Sequence, residues 1–213
     1  MVIFSVIITN LDHILQNKRL YKMNKKTKVC AIVAVGPENV IGKNNVMPWY
    51  CPADLKYFKI TTTPYPCIFG KNTFTGMNNQ PLKNRINIIC SSKHNDEMID
   101  LNYWHASSIE SAIANFKHYD KIFICGGAQI YKYVLSQDLI DIFYLTKIES
   151  PKLQKQIIQN PEQYTYFPVD INTFFTPNKW AVKQITVQTE TLPKNPPHIS
   201  QTFWQYTRKR QLG

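Results

Sequence analysis

The sequence predicts an α/β fold built on a mainly parallel sheet and closed at its C-terminal end by an antiparallel pair. Three observations predict it. Short apolar runs bounded by turn residues recur along the chain, as expected of strands buried in a sheet. Helical patterns separate most of these runs, and alternating strands and helices give parallel pairs through right-handed crossovers. The last two β-rich segments are joined by a proline-rich connection with no helix in it, which reads as an antiparallel pair at one edge.

The elements follow in order. The body opens with "KVCAIVAVG", a strand ending in glycine. "PADLKYFKITT" reads as a helix, with Pro52 at an early position where its missing N–H costs nothing. "YPCIFG" (65–70) and "RINIIC" (85–90) are strands. "SSIESAIANF" (107–116) is a helix with serine and then glutamate as a capping box. "KIFICGG" (121–127) is a strand and "GAQIYKYVL" (127–135) a helix opening on its glycines. "IDIFYLTKI" (140–148) is a further strand, and residues 149–168 read as an irregular excursion. "WAVKQITVQT" and "QTFWQYTRK" flank "LPKNPPHI" and form the antiparallel pair.

A chain of 213 residues, 44% of them hydrophobic and 13% aromatic, suits one globular domain. We divide it into an N-terminal extension, residues 1–28, and a body, residues 29–213. Met23 is an alternative start to Met1. No apolar run approaches the roughly 18 residues a spanning helix needs. "MVIFSVIITN" has neither a basic lead-in nor a small-residue cleavage site, which argues against a signal peptide. Cys30, Cys51, Cys67, Cys90 and Cys125 are odd in number and form no CxxC pair. They fit neither a zinc knuckle nor a disulfide framework and suit a reducing cytoplasm. The net charge is +11, of which residues 1–28 contribute six basic side chains less Asp12, or +5. That cluster, Lys18 to Lys28, opens a nucleic-acid reading, but Tyr21 is its one interleaved aromatic. Solvated lysines or an anionic small ligand explain the remaining charge.

Four constellations carry chemistry. In "GKNNVMPWYCPADLKYFK" (42–59), Asp54 lies in the first turn of a helix, on the face of Leu55 and Phe58, with Lys56 and Lys59 elsewhere. An acid there complements the helix dipole. In an apolar pocket it would instead have a raised pKa and could hold an amidine-like heterocycle or move a proton. The indole of Trp49 beside it is a donor for a water. "ICGGAQIY" (124–131) is a strand end whose diglycine opens a helix, a phosphate-cradling geometry or simply a glycine turn. "FGKNTFTGM" (69–77) and "CSSKH" (90–94) place Lys71, Asn72, Thr73, Ser91, Ser92 and Lys93 after strands, at the carboxyl edge that ligands favour. Arg85, just before a buried strand, can clamp a carboxylate or sit on the surface. His13, His94, His105, His118 and His198 show no metal-ligand spacing, so no metal is expected. A GxSxG elbow and a P-loop are both lacking from the sequence.

From about residue 29 to 210 the sequence resembles dihydrofolate reductases. The resemblance rests on "AIVAVGPENVIGKNNVMPWYCPADLKYFK", "GKNTFTGM", "RINIICSS", "ICGGAQIYKYVL", "FYLTKI", a "YFP" before the last strands and a closing "YTRK", all in order. It implies an eight-stranded, mainly parallel sheet with about four helices, and NADPH-dependent reduction of 7,8-dihydrofolate to tetrahydrofolate. By the same resemblance Asp54 is the active-site acid and Thr146 its hydroxyl partner. Trp49 positions a water, and Met47 belongs to the catalytic group in the mobile loop 42–48. Ile32 and Cys125 offer carbonyls to the pterin. Val33, Leu55, Phe58, Met77 and Tyr131 enclose the substrate, and Arg85 clamps its glutamate. Ala34, Ile41, Gly42, Lys71, Asn72, Thr73, Ser91, Ser92 and Lys93 form the cofactor site with Cys125, Gly126, Gly127, Ala128, Gln129, Ile130 and Tyr131. Gly126 and Gly127 are implied to be joined by a cis peptide. Ala128 and Gln129 depart from a more frequent glycine and arginine, which leaves the cofactor's 2′-phosphate to Lys71, Ser92 and Lys93. Dihydrofolate and antifolate inhibitors are the expected ligands, with neither nucleic acid nor membrane, and the chain is expected to act as a monomer with no fused thymidylate synthase domain. A pyrimidine reductase of riboflavin synthesis would share the fold, but "MPW", "PADL" and Arg85 resemble a folate site.

Overall fold

A computed structural model describes residues 26–185, 194–196 and 198–209. The main sheet has nine strands in the order β10-β11-β8-β1-β7-β3-β4-β6-β5. Its centre is parallel: β1 (Lys28–Val35), β7 (Lys121–Ile124), β3 (Cys67–Gly70), β4 (Asn87–Cys90), β6 (Tyr103–Ala106) and β8 (Ile142–Glu149) all run one way. β11 (Ser200–Arg208) pairs antiparallel with β8 and with β10 (Trp180–Ile185). β5 (Glu97–Asp100) is antiparallel to β6 at the other edge. A separate two-stranded ribbon joins β2 (Val40–Lys43) to β9 (Tyr164–Tyr166).

The mixed, mainly parallel sheet with its antiparallel C-terminal edge agrees with the sequence. The count differs: nine strands stand where eight were expected, and six α-helices are described in place of about four. Neither β5 nor β6 is among the predicted strands: all four residues of β5 are exposed and only Ala106 of β6 is fully buried, so no apolar run marks either. The excursion at 149–168 is largely ordered. It holds α5 (Pro151–Gln159), a short 3-10 turn and β9. The serine at 150 caps α5 by accepting from Leu153 N at 3.3 Å, and Leu153 and Ile157 form its buried stripe. The predicted strand 180–189 is described only to Ile185. Residues 1–25, with the basic cluster up to Lys25 and both candidate starts, lie outside the described residues.

The remaining helices are α1 (Pro52–Thr62), α2 (Lys71–Gly76), α3 (Ile109–Asn115), α4 (Ala128–Ser136) and α6 (Ile171–Phe174). The capping box proposed for α3 is only half made. Ser108 accepts from Ser111 N at 3.0 Å, but Ser111, not glutamate, occupies the reciprocal position. Strand alternation divides the core between the two faces of the sheet. Val29, Ala31 and Val33 of β1 join Ile68, Ile88, Ile122 and Ile124 in one cluster, while Cys30 and Ile32 join Cys67, Phe69, Phe123 and Tyr57 of α1 in the other. Cys30 and Cys67 therefore serve as small apolar side chains. A third cluster seats Leu153 and Ile157 of α5 against Trp49, Cys51 and Ala53. The chain leading into α1 is thus held by the excursion that looked irregular.

The loop before β4 is held by one buried amide. Asn87 is fully buried; its Nδ2 donates to Leu82 O at 3.0 Å, Arg85 O at 3.0 Å and Asn102 O at 3.2 Å, and its Oδ1 accepts from Leu82 N at 2.8 Å. Asn87→Leu would strand three backbone groups, Asn102 O keeping the Asn87 backbone N–H, and we expect urea unfolding to show a loss of about 3 kcal/mol.

Candidate functional site

A cavity of about 1330 Å³ opens along the carboxyl ends of β1, β7, β3 and β4 and under the loop between β2 and α1. Every site residue expected from the sequence lines it except Thr146, which sits in β8 and is buried behind it. The parallel order β1-β7-β3-β4 is the reason: strands that run together end together, and the loops after them share one edge.

Asp54 is the one acidic residue among those lining the cleft. It is 6% exposed. Burial pushes its carboxyl up to about 6, and a hydrogen bond with the Thr146 hydroxyl partly opposes the shift. The helix presents its side chains differently from the expectation. Ala53, Asp54, Tyr57 and Thr62 form the buried face, while Leu55 is 42% exposed at the cleft and Lys59 lines it as well. Lys59 was expected to point away. Tyr50, Leu82 and Thr165 also line the cleft without having been anticipated. For Leu82 and Thr165 no sequence signal exists, since they arrive through the loop before β4 and through the ribbon with β2.

Trp49 is buried, and its indole Nε1 has no hydrogen-bond partner among the described residues. Its ring packs on Gly36, where a Cβ would lie 2.7 Å from the ring edge. The loop 42–48 turns at Asn44 and Asn45, both with positive φ, between reciprocal Lys43–Val46 backbone hydrogen bonds at 2.8 and 3.1 Å. This is the geometry of a tight hairpin turn. Its tip rests on the end of α2, where a Cβ on Gly76 would lie 1.9 Å from Asn45 O.

Arg85 is buried before β4. Its Nε donates to Lys83 O at 3.1 Å and its Nη1 to Thr62 Oγ1 at 2.9 Å, and Thr62 Oγ1 donates in turn to Phe58 O at 2.8 Å. The end of α1 thereby aims the guanidinium, which retains further N–H donors and has no carboxylate partner among the described residues. Lys71 and Lys93 stand at the opposite ends of the adjoining strands, after β3 and β4. The cleft therefore offers cations at both ends and one carboxyl between.

The backbone at the β7–α4 turn fits a phosphate. Gly126 and Gly127 are joined by a cis peptide, and Gly127 caps α4 with no side-chain hydrogen bond, leaving the first helical N–H groups without an internal partner. A Cβ on Gly127 would lie 2.8 Å from Thr73 Oγ1, and one on Gly70 3.1 Å from Ile130 Cγ1, so α2, β3 and α4 meet there on bare backbone. Tyr131 donates from its hydroxyl to Ile32 O at 2.6 Å, which ties the same turn to β1. Ile32 O thus already accepts one hydrogen bond. Cys125 lies beside it, its thiol pushed well up by burial.

The family model described as dihydrofolate reductase matches residues 28–208. Relatives include the dihydrofolate reductase of Candida albicans, 33% identical over 138 residues, covering 61% of this chain and 72% of that protein. That of Haemophilus influenzae is 39% identical over 121 residues, covering 56% and 71%. That of Buchnera aphidicola subsp. Schizaphis graminum is 36% identical over 141 residues, covering 66% and 79%. A solved structure, dihydrofolate reductase from Enterococcus faecalis complexed with NADP(H) and RAB-propyl, aligns with a TM-score of 0.63 at 25% identity over 87% of this chain and 99% of that one.

The buried carboxyl has a measurable consequence for stability. Because its pKa is higher folded (about 6) than its ordinary value of 3.8, its contribution is fully present below 3.8 and is lost as pH rises through about 6. Asp54→Asn removes a group that is charged and buried at high pH. We expect denaturant unfolding to show the variant more stable than wild type by about 2–3 kcal/mol at pH 8, with the gain vanishing below pH ~4.

Proposed function

The chain belongs to the dihydrofolate reductase family, and from that premise we propose which of its side chains carry the reaction. The reaction itself is the NADPH-dependent reduction of 7,8-dihydrofolate to tetrahydrofolate, an oxidoreductase step at a carbon–nitrogen double bond. One observation carries the assignment: a single acid in a cleft with cations at either end, buried deeply enough to hold a proton near neutral pH.

Asp54 would accept hydrogen bonds from the amino group and adjacent ring N–H of the pterin. Its charge raises the proton affinity of the ring nitrogen that must be protonated. Thr146 holds the carboxyl in place. Trp49, with its unpartnered indole donor, would position a water, and Met47, exposed in the loop, lines the same cleft. Leu55, Phe58 and Met77 supply apolar walls for the rings, with Ile32, Val33, Cys125 and Tyr131 at the pterin end. Arg85 would clamp the substrate's glutamate carboxylate with the N–H groups that Lys83 and Thr62 leave free.

The cleft's other arm suits NADPH, which when bound supplies the hydride. The α4 N–H groups from Ala128 to Ile130, with Gly126 and Gly127, would hold its pyrophosphate. Thr73, Asn72 and Ser91 would take polar positions along it. Lys71, Ser92 and Lys93 would bind the 2′-phosphate; Gln129, also lining the arm, offers no charge for it. Ala34, Ile41, Gly42 and Tyr131 would seat the nicotinamide. We propose further that the chain works as a monomer in a reducing cytoplasm without nucleic-acid or membrane partners. Two observations are consistent with the reducing compartment and with the lack of a spanning helix. The cysteines are free thiols, four of them buried, and no described helix is long and apolar enough to cross a membrane.

The test is the fall in reduced-nicotinamide absorbance on mixing NADPH, dihydrofolate and protein. The profile of kcat/KM should break near pH 6, falling at higher pH as the site loses the proton that Asp54 would release toward the ring nitrogen while its own charge develops. Asp54→Asn should lose that break and fall about 100-fold in rate at pH 7. A wild-type rate in this variant would overturn the role of Asp54. Arg85→Lys keeps the charge but loses the planar fork. It should raise KM for dihydrofolate about tenfold and leave a pterin without the glutamate tail unaffected.

A further inference from the structure

Asn195 does not line the cleft, yet it joins the start of α1 to the sheet. Its Oδ1 accepts from Ala53 N at 3.1 Å and from the Cys51 thiol at 3.4 Å, and its Nδ2 donates to Gln201 Oε1. Gln201 belongs to β11 and pairs with Ile148 of β8, two residues beyond Thr146. The first N–H groups of a helix need partners from outside it. Cys51 at the N-cap of α1 provides no side-chain cap, and the amide of Asn195, 142 residues along the chain, serves instead. The donor at Ala53 also fixes which way the Asn195 amide faces. One side chain therefore bridges the turn that carries Asp54 and the strand beside the one that carries Thr146.

We propose that Asn195 is a positioning residue for Asp54, holding the first turn of α1 against β11 and so setting where the carboxyl lies relative to Thr146 and the cleft. This rests on Asp54 being the acid of the reaction. Nothing else in the first turn can substitute: Pro52 has no N–H, and Cys51 is itself bound by Asn195. Local side-chain capping, the ordinary way to fix a helix start, is replaced by a contact that couples the helix to the C-terminal strand pair. Small displacements of a reacting group change rates steeply, so a contact of this kind matters to chemistry out of proportion to its worth to folding.

The experiment compares wild type, Asn195→Leu, which keeps the volume and loses the acceptor, and Asn195→Asp, which keeps the acceptor while the Gln201 amide turns to donate. Single-turnover hydride transfer is followed against pH at saturating NADPH, and NADPH affinity is read from quenching of tryptophan fluorescence. N195L should lower hydride transfer about tenfold at pH 7 and move the midpoint of the profile by about half a unit or more, with NADPH Kd within about twofold. N195D should recover the rate to within about threefold of wild type. Wild-type rate and midpoint in N195L would overturn the proposal, as would no recovery in N195D or a parallel loss of NADPH affinity. Should N195L not fold, N195S, one bond too short to reach Ala53, carries the same expectations. An unaltered N195L beside an impaired D54N refutes only this inference. An unaltered D54N refutes the reading beneath it.

Discussion

The structure turns on the cost of keeping one carboxyl out of water. Asp54 sits on the buried face of α1, where desolvation disfavours its charge and one threonine hydroxyl compensates only in part. A fold evolved for stability alone would fill that position with an apolar side chain. Retaining an acid there makes sense when a ligand completes its hydrogen bonding, as the pterin edge proposed above would. The surroundings are arranged to tolerate it: Tyr57 of α1 packs at a tilt on Phe203 with 4.2 Å between ring centroids, and α5 packs Leu153 and Ile157 beneath the chain leading in. Rigid support on this side leaves the other side open as cleft.

The parallel sheet separates charge along one ligand track. Arg85 precedes β4 and Lys93 follows it, so a four-residue strand stands between the cation proposed for a carboxylate tail and the cation proposed for a phosphate. At about 3.3 Å per residue that strand alone spans over 10 Å. In the assignment proposed above, two ligands laid end to end across the strand tips would meet between these cations, each anionic group drawn to its own end.

Much of this was legible in the sequence, for reasons that differ by element. The central strands announce themselves because burial on both faces leaves runs such as "NIIC" and "KIFI" wholly apolar. That the candidate site residues share one cleft followed from motif order and from their place after parallel strands. The edge strand β5 was hidden because its four exposed residues have no core to answer to. Helix α5 was hidden in a polar stretch, although Ser150, Pro151 and the Leu153–Ile157 spacing spell a capped amphipathic helix when read together. Lys59 and Leu82 reach the cleft through tertiary placement that no local pattern encodes. The same holds for Asn195, whose partners at the start of α1 lie more than 140 residues away.

The contact between the tip of the 42–48 hairpin and the end of α2 is made by two backbones with no side chain between them, since any Cβ on Gly76 would collide with Asn45 O at 1.9 Å. The flap that roofs the cleft thus depends on a hydrogen atom at a position that itself reacts with nothing. In a genetic screen for catalytic loss or altered drug response, codon 76 would therefore score alongside the reacting residues, and inspection of the ligands' immediate neighbours would not explain why.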